Sequence, residues 1–350
     1  MNAAANNPIF HKSIFQGRLE FGPGKNIEKA LQLYTVRAEQ YYRNEVMFKP
    51  EQIFLMDQGN IDIPRTVMQA SDRYFTNTLN LLDYIAQFAT AGSLGAWLID
   101  NGKVLRHKMV EPQSDKIAVQ EYIRGRKLVG TKGKEKEAIE ALNAAINKYE
   151  RHSQAYERRG YVNYTLKNYK DALHDFNKAI QFDENNALAY YGRAQVHLQN
   201  SDKKKSLEDL SFAIQKSLAL QMVHWQARYQ KGELNYQLKQ FKEAAFELKL
   251  FSDRHFDAQD PNSLKKRDAA FIYAKILMEQ EQFEEAAQRF NIALASLEDD
   301  AKTSSKITKA DILLQRGLAK KLAGKNGFMA DLKEAATLGN KEAQKILQSK

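Results

Sequence analysis

A mainly α-helical chain, made of repeated helix pairs behind a small α+β domain, is the fold that this 350-residue sequence predicts. Three observations point to it. One segment recurs at 34-residue intervals, the hydrophobic pattern changes before residue 115, and the charge balance changes at the same place.

The composition is that of a folded protein. Hydrophobic residues make up 43%, and 18 Phe with 16 Tyr supply aromatic side chains that disordered chains lack. With no cysteine, disulfides, thiolate metal sites and a cysteine nucleophile are excluded. The start, MNAAANNPIFHKSIF, has no basic stretch followed by a long apolar run, so a secretory signal is not expected. The best apolar window, Leu79 to Ala91, is broken by Asp83 and Gln87 and falls short of the roughly 20 apolar residues of a membrane helix. No membrane insertion and a cytoplasmic location are the resulting expectations. Residues 1–115 carry twelve basic and twelve acidic side chains, leaving 41 basic and 31 acidic in 116–350, so the whole net +10 lies in the second part. Lys-rich outer helix faces account for such an excess through solubility.

The repeat reads as follows. GKEKEAIEALNAAI (133–146), KNYKDALHDFNKAI (167–180) and SDKKKSLEDLSFAI (201–214) align with Ala138, Ala172 and Ser206 in register. A large apolar residue follows four positions later (Leu142, Phe176, Leu210) and another alanine three further on (Ala145, Ala179, Ala213). Later copies carry Ala244 with Leu248, and Ala286 with Phe290 and Ala293, at spacings of 38 and 42. The extra residues are expected in loops such as 252–263, where Pro261 forbids a continuous helix. Upstream of each copy lies a first helix: 155–169, 189–201 and 227–241 are the clearest. Gly160 and Gly232 interrupt these helices at a cost of ~1 kcal/mol relative to Ala. The expected compensation is close approach of the second helix, with Ala172 or Ala244 facing the glycine.

Residues from about 118 to 348 therefore resemble the tetratricopeptide repeat (TPR) family, and the last unit, ending AATLGNKEAQ, is similar to the related Sel1 type. The resemblance implies a TPR-type α-helical solenoid of about six helix pairs in residues 116–350, preceded by a small α+β domain in 1–115. Such arrays hold other molecules in a concave groove lined by first helices. The family's groove positions fall on Gln154, Glu157, Tyr161 and Tyr164, then Tyr191, Gln195, Leu198 and Gln199, then Tyr229, Glu233 and Tyr236, then Phe271 and Lys275. Tyrosine offers a large contact area with a polar tip, which suits an extended peptide. A non-enzymatic adaptor or scaffold binding a protein or peptide partner is the implied function, with self-association left open. The family's clamp for chaperone C-terminal tails is missing: Glu157, Tyr161, Gly192, Gln226 and Gln230 replace its basic and amide residues. No chaperone-tail binding is expected.

No family is recognised in residues 1–115. SIFQGRLEF (13–21) reads as a strand, followed by a helix from Asn26, its N-cap, through Tyr42. Segment 46–65 reads as irregular or short-stranded, and a second helix is expected from Thr66 to Phe88. Two apolar runs around Asn101-Gly102 predict an antiparallel hairpin. The GPGKN junction before the first helix lacks the spacing and hydroxyl of a phosphate-binding loop, and Pro23 removes an amide donor, so a plain turn is expected. The seven histidines show no metal-ligand spacing, Glu284-Glu285 and Asp299-Asp300 read as solvated charge, and no catalytic motif is present. No catalytic residue, metal or cofactor is expected.

Two rival readings stand beside the adaptor. Arg124, Arg126, Lys127, Lys132, Lys134, Lys136, Arg158, Arg159, Lys203 to Lys205 and Lys265 to Arg267, with neighbouring aromatics, could serve a basic nucleic-acid-binding protein. Their unrelated helical phases weigh against a continuous stripe. The third reading is an enzyme with its active site in 1–115, against which the missing motifs weigh.

Overall fold

Pairing across long sequence separations shapes the start of the chain. The computed structural model describes residues 9–257, 259–296 and 305–348, in two compact units, Met1–Gly192 and Arg193–Lys350. In the first unit, β1 (Phe10–Glu20), β2 (Phe54–Leu55), β3 (Asn60–Ser71), β4 (Ala91–Asp100) and β5 (Lys103–Val110) form an antiparallel sheet in the order β2-β3-β1-β4-β5. Alternate residues Phe15, Leu19, Ile61, Ile63, Leu94, Ala96 and Leu98 enter one core with α1 (Lys25–Gln40) and α3 (Asp72–Ala86). Each large apolar side chain so buried contributes about 1.5–3 kcal/mol. Tyr34 keeps its hydroxyl satisfied there by donating to the Phe48 carbonyl at 2.8 Å.

Glycine is required where β1 meets β4. At Gly17, beside a register shift in the β1–β3 pairing, φ is +144° and a Cβ would lie 2.3 Å from the Ser93 carbonyl oxygen. The hairpin forms as expected: Asn101 (φ 46°) and Gly102 (φ 79°) both take the left-handed conformation that a two-residue loop needs.

Three local expectations are corrected. The stretch from Thr66 to Ser71 is strand, because β3 pairs with β1 all the way from Asn60↔Glu20 to Ser71↔Phe10. The following helix starts only at Asp72, where the Ser71 hydroxyl accepts the Tyr74 amide at 3.4 Å. Asn26 does not cap α1: Gly24 does, with φ 77° and no side-chain bond, while the Asn26 amide donates to the Phe21 carbonyl at 3.3 Å. Segment 46–65 holds α2 (Pro50–Ile53), β2 and the start of β3.

The rest is helical. α4 (Ile117–Leu128) pairs with α5 (Glu135–Lys148) and α6 (Ser153–Thr165) with α7 (Tyr169–Phe182), followed by α8 (Ala187–Gln199). The second unit holds α9 (Lys203–Lys216), α10 (Met222–Gln237) with α11 (Phe241–Asp253), α12 (Lys266–Glu279) with α13 (Phe283–Ala295), α14 (Lys309–Leu322) with α15 (Phe328–Thr337), and α16 (Lys341–Gln348). The widened spacing after α11 is taken up by a loop and a 3-10 turn, Pro261–Lys265.

Inside the pairs the glycines do admit close packing, but against the large residue and not the alanine. A Cβ on Gly125 or Gly232 would lie 2.7 Å from Leu142 or Leu248, and one on Gly160 would lie 3.0 Å from the Phe176 ring. Phe176 also covers Gly192, where a Cβ would come within 2.3 Å. The turns between paired helices repeat too. Lys167, Ser201, Lys239 and Glu281 all have φ near +60°. The next amide in each case reaches back to a carbonyl of the first helix, as in Asn168 to Asn163 (2.8 Å) and Gln240 to Asn235 (2.9 Å). This is the Schellman end that glycine favours, and Gly324 occupies the equivalent place after α14.

A left-handed non-glycine residue costs roughly 1–2 kcal/mol, partly offset by the chain entropy of glycine. Lys239→Gly is therefore expected to stabilise the protein by about 0.5–1 kcal/mol, read as a higher urea midpoint; a lower midpoint would contradict the repeated-turn assignment.

Candidate partner-binding surface

Residues 154, 157, 161 and 164 share one face of α6 by helical spacing, yet that face is divided in two. At its start, Gln154 accepts the Gly92 amide at 2.9 Å and donates to the Ser93 hydroxyl at 2.9 Å, fastening the helix to β4. Glu157 is buried beside Arg158 (3.2 Å), and burial pushes its carboxyl above the usual range. Neither side chain lies open to a partner. The same junction carries a hydrogen bond from the Tyr149 hydroxyl to Glu20 (2.9 Å) and two from Arg18, to Asp62 (3.2 Å) and to the Phe182 carbonyl (3.1 Å). Burial raises the Glu20 carboxyl in spite of both partners.

His152 belongs to this junction. Its Nδ1 accepts the Ala155 amide at 3.4 Å as the cap of α6, and its ring packs 4.7 Å from Tyr122. It is 1% exposed, and burial lowers it to about 3.

Sequence reasoning missed a second repeated feature, a guanidinium–carboxylate bridge joining the two helices of a pair. Arg159 grips Asp175 through two bonds (2.6 and 2.9 Å) and also donates to Asn143. Arg193 grips Asp209 in the same way (2.7 and 2.8 Å), Arg228 bonds Glu247, and Arg316 bonds Asp331 and Asn291. The acids are buried and the arginines only partly so. The signal was present: Arg159 and Arg193, like Asp175 and Asp209, stand 34 residues apart. Asn163, which matches a glycosylation sequon, is buried and donates to Asp175 (3.1 Å).

Beyond the junction the face of α6 opens. Tyr161 is 44% exposed, and Tyr164 is half-buried with its ring 5.8 Å from Tyr169. Tyr191 on α8 is half-buried and pushed up to about 12 by burial, with Tyr164 and Tyr161 close enough to add to the shift. These three rings form one tyrosine patch within the first unit.

In the second unit the expected positions differ among themselves. Gln195 and Gln230 exchange amide hydrogen bonds, joining α8 to α10. Gln199 is exposed. Tyr229 is buried 5.3 Å from Phe251, so its ring fills the space between helices and is not offered to a partner. Glu233 and Tyr236 are half-buried, and burial raises both, with Lys265 opposing the rise at Glu233. Phe271 packs edge-on against Phe290 (5.6 Å), and Lys275 reaches Gln315 (3.4 Å).

Many cations of the basic segments are already paired: Arg124 with Glu121, Arg126 with Glu111, Lys134 with Glu137, Lys205 with Asp202 and Arg267 with Asp268. Glu284 bonds Lys325 and Glu285 accepts from Tyr273, whereas Asp299 and Asp300 lie outside the described residues. Among the described residues no group of three or more His, Asp or Glu side chains could hold a metal ion. Among the described residues no helix is long and apolar enough to cross a membrane.

The helix pairs define a helical repeat protein. Residues 160–201 match the family described as TPR repeat, and the helical part of the chain has the fold of a TPR-like array. Among solved structures, pilF of Pseudomonas aeruginosa is 15% identical with a TM-score of 0.50, the match covering 67% of this chain and 99% of that one. It supports the fold. YrrB, described as a TPR protein with an unusual peptide-binding site, is 18% identical (TM-score 0.48; 60% of this chain, 99% of that one). PilW, described as a type IV pilus biogenesis factor, is 17% identical (TM-score 0.44; 67% and 99%). No curated protein matches the sequence.

Two outcomes follow from this geometry. Arg159→Ala strands the buried Asp175 carboxylate and is expected to cost about 3–5 kcal/mol in urea denaturation. Arg124→Ala, at an exposed pair, is expected to cost under about 1 kcal/mol; equal effects would refute the structural role of the bridge. His152, lowered from 6.5 when unfolded to about 3 when folded, binds its proton more readily in the unfolded chain. Its contribution is full above pH 6.5 and is lost as pH falls towards 3, at about 1.4 kcal/mol per pH unit. Between pH 6.5 and 5, His152→Asn is expected to show a stability slope shallower by one proton; an unchanged slope would show that His152 is not buried neutral.

Proposed function

We propose that this chain is a non-enzymatic adaptor that holds a protein or peptide partner against the first helices of its array. The observation that carries this reading is the Tyr161, Tyr164 and Tyr191 patch, where an exposed ring stands beside two half-buried ones. Rings held in this way lose little side-chain entropy on contact and keep polar tips for hydrogen bonding. Within the second unit, Gln195, Gln199, Glu233, Tyr236, Phe271 and Lys275 make up a proposed surface of their own, while Gln154, Glu157 and Tyr229 are left out because they serve internal packing. The unrelated helical phases of the basic segments, and the ion pairs that hold Arg124, Arg126, Lys134, Lys205 and Arg267, speak against a continuous nucleic-acid stripe, whose affinity needs clustered charge. A cytoplasmic location and the absence of chaperone-tail binding belong to the same proposal.

The test is affinity capture with the full chain and a Tyr161→Ala/Tyr191→Ala variant whose circular dichroism and urea midpoint match the parent. Partners are expected to be depleted at least about tenfold on the variant, the equivalent of 1.4 kcal/mol. Equal recovery would sink the tyrosine patch as the docking surface.

A further inference from the structure

We infer that the side of α1 turned towards α3 is a second docking surface, for an extended segment that carries carboxylates. This goes beyond the adaptor reading, which assigns no contact to the α+β part. Lys29, Leu33, Arg37 and Tyr41 follow one another at four-residue steps and so share one side of α1 and its C-cap. Tyr84 on α3 and Phe88 just beyond its end stand opposite. The Arg37 guanidinium lies over the Tyr84 ring at 3.9 Å and the Tyr41 ring at 4.7 Å, and the Lys29 ammonium over Phe88 at 5.9 Å. Tyr84 and Phe88 meet edge to face at 5.5 Å. Lys29 and Tyr41 are exposed, and Leu33, Arg37, Tyr84 and Phe88 are half-buried.

Charge selects the occupant. Neither Lys29 nor Arg37 is in an ion pair among the described residues, and the Arg37 Nε is buried without a hydrogen-bond partner. The acids of both helices are engaged elsewhere or turned away. Asp72 and Asp83 on α3 bond Arg106 and Lys108 of β5 (2.6 and 2.9 Å), and Glu45, after α1, bonds Arg73 (2.6 Å). Glu28 and Glu39 project about 140–160° round α1 from the middle of the strip, at 3.6 residues per turn. Two cations therefore face outward with no acid beside them. The rings hold the Arg37 fork in place, so it loses little freedom when it takes a carboxylate. Lys29 and Arg37, two turns apart, are separated by about 12 Å along the axis. An extended segment advances about 3.3 Å per residue and returns to the same face at every second position, so acids four positions apart match both cations. A nucleic-acid strand is the poorer fit, because the two cations already lie over Phe88, Tyr84 and Tyr41 and leave no run of open rings for base stacking.

The experiment is fluorescence anisotropy on the full chain with three short labelled probes: a Ser/Thr-rich peptide with two Glu four positions apart, the same peptide with Gln for each Glu, and a deoxythymidine oligonucleotide of equal length. The Glu peptide is expected to bind saturably and to weaken with added salt. The Gln peptide is expected to bind at least about tenfold more weakly, and Lys29→Gln/Arg37→Gln to weaken the Glu peptide by a similar factor. Because Arg37 also packs on two rings, Lys29→Glu serves as the second variant. At that exposed position the urea midpoint is expected to hold while binding falls at least about threefold. Tyr161→Ala/Tyr191→Ala is expected to leave the Glu peptide unchanged. Absence of saturable binding, equal binding of the Gln peptide, indifference to Lys29→Glu or tighter binding of the oligonucleotide would each overturn the proposal. Sensitivity to the tyrosine variant instead would move the peptide to the tyrosine patch, overturning the α1 surface but leaving the adaptor reading standing.

Discussion

The amide side chain of Gln154 fastens the helices of the first unit to its sheet. By bonding both Gly92 and Ser93 it commits the start of α6 to the sheet, and the Tyr149–Glu20 and Arg18–Phe182 contacts close the same junction. A buried donor or acceptor left without its partner costs about 1–3 kcal/mol, so these bonds resist being exchanged for those of a visiting molecule. Glu157 and His152 are buried alongside, and the α+β part and the first two helix pairs lie within one compact unit. The open part of α6 begins only at Tyr161.

Within the pairs, two devices divide the labour. A bulky apolar side chain seated on a glycine brings the helices together, and a buried acid gripped by arginine fixes their register. The bridge adds orientation more than net stability, since desolvating both charges offsets much of their attraction.

What could be read from the residues depended on how local each cause was. The helix pairs were legible because Ala138, Ala172 and Ser206 repeat in register, and the hairpin because Asn101-Gly102 suits two left-handed residues. The strand from Thr66 to Ser71 was not, since its partner β1 lies some fifty positions away and its own pattern does not exclude a helix. The bridge between Arg159 and Asp175 was written at the same 34-residue period as the alanines, but charge on a helix reads as solvated surface until the facing helix is known. Of the expected groove positions, Tyr161 and Tyr191 remain accessible, while Gln154, Glu157 and Tyr229 are taken by neighbours that no spacing rule reveals.

Native-state hydrogen exchange on the full chain and on Gln154→Ala tests the shared first unit most directly. If the sheet and the first helix pairs open together, amides of β1, β4 and α6 will exchange with one common free energy in increasing urea. In Gln154→Ala that value will fall for all three elements alike. Loss of protection in α6 while β1 and β4 stay closed, or no change on removing the Gln154 amide, would show instead that the sheet is an independent domain resting beside the array.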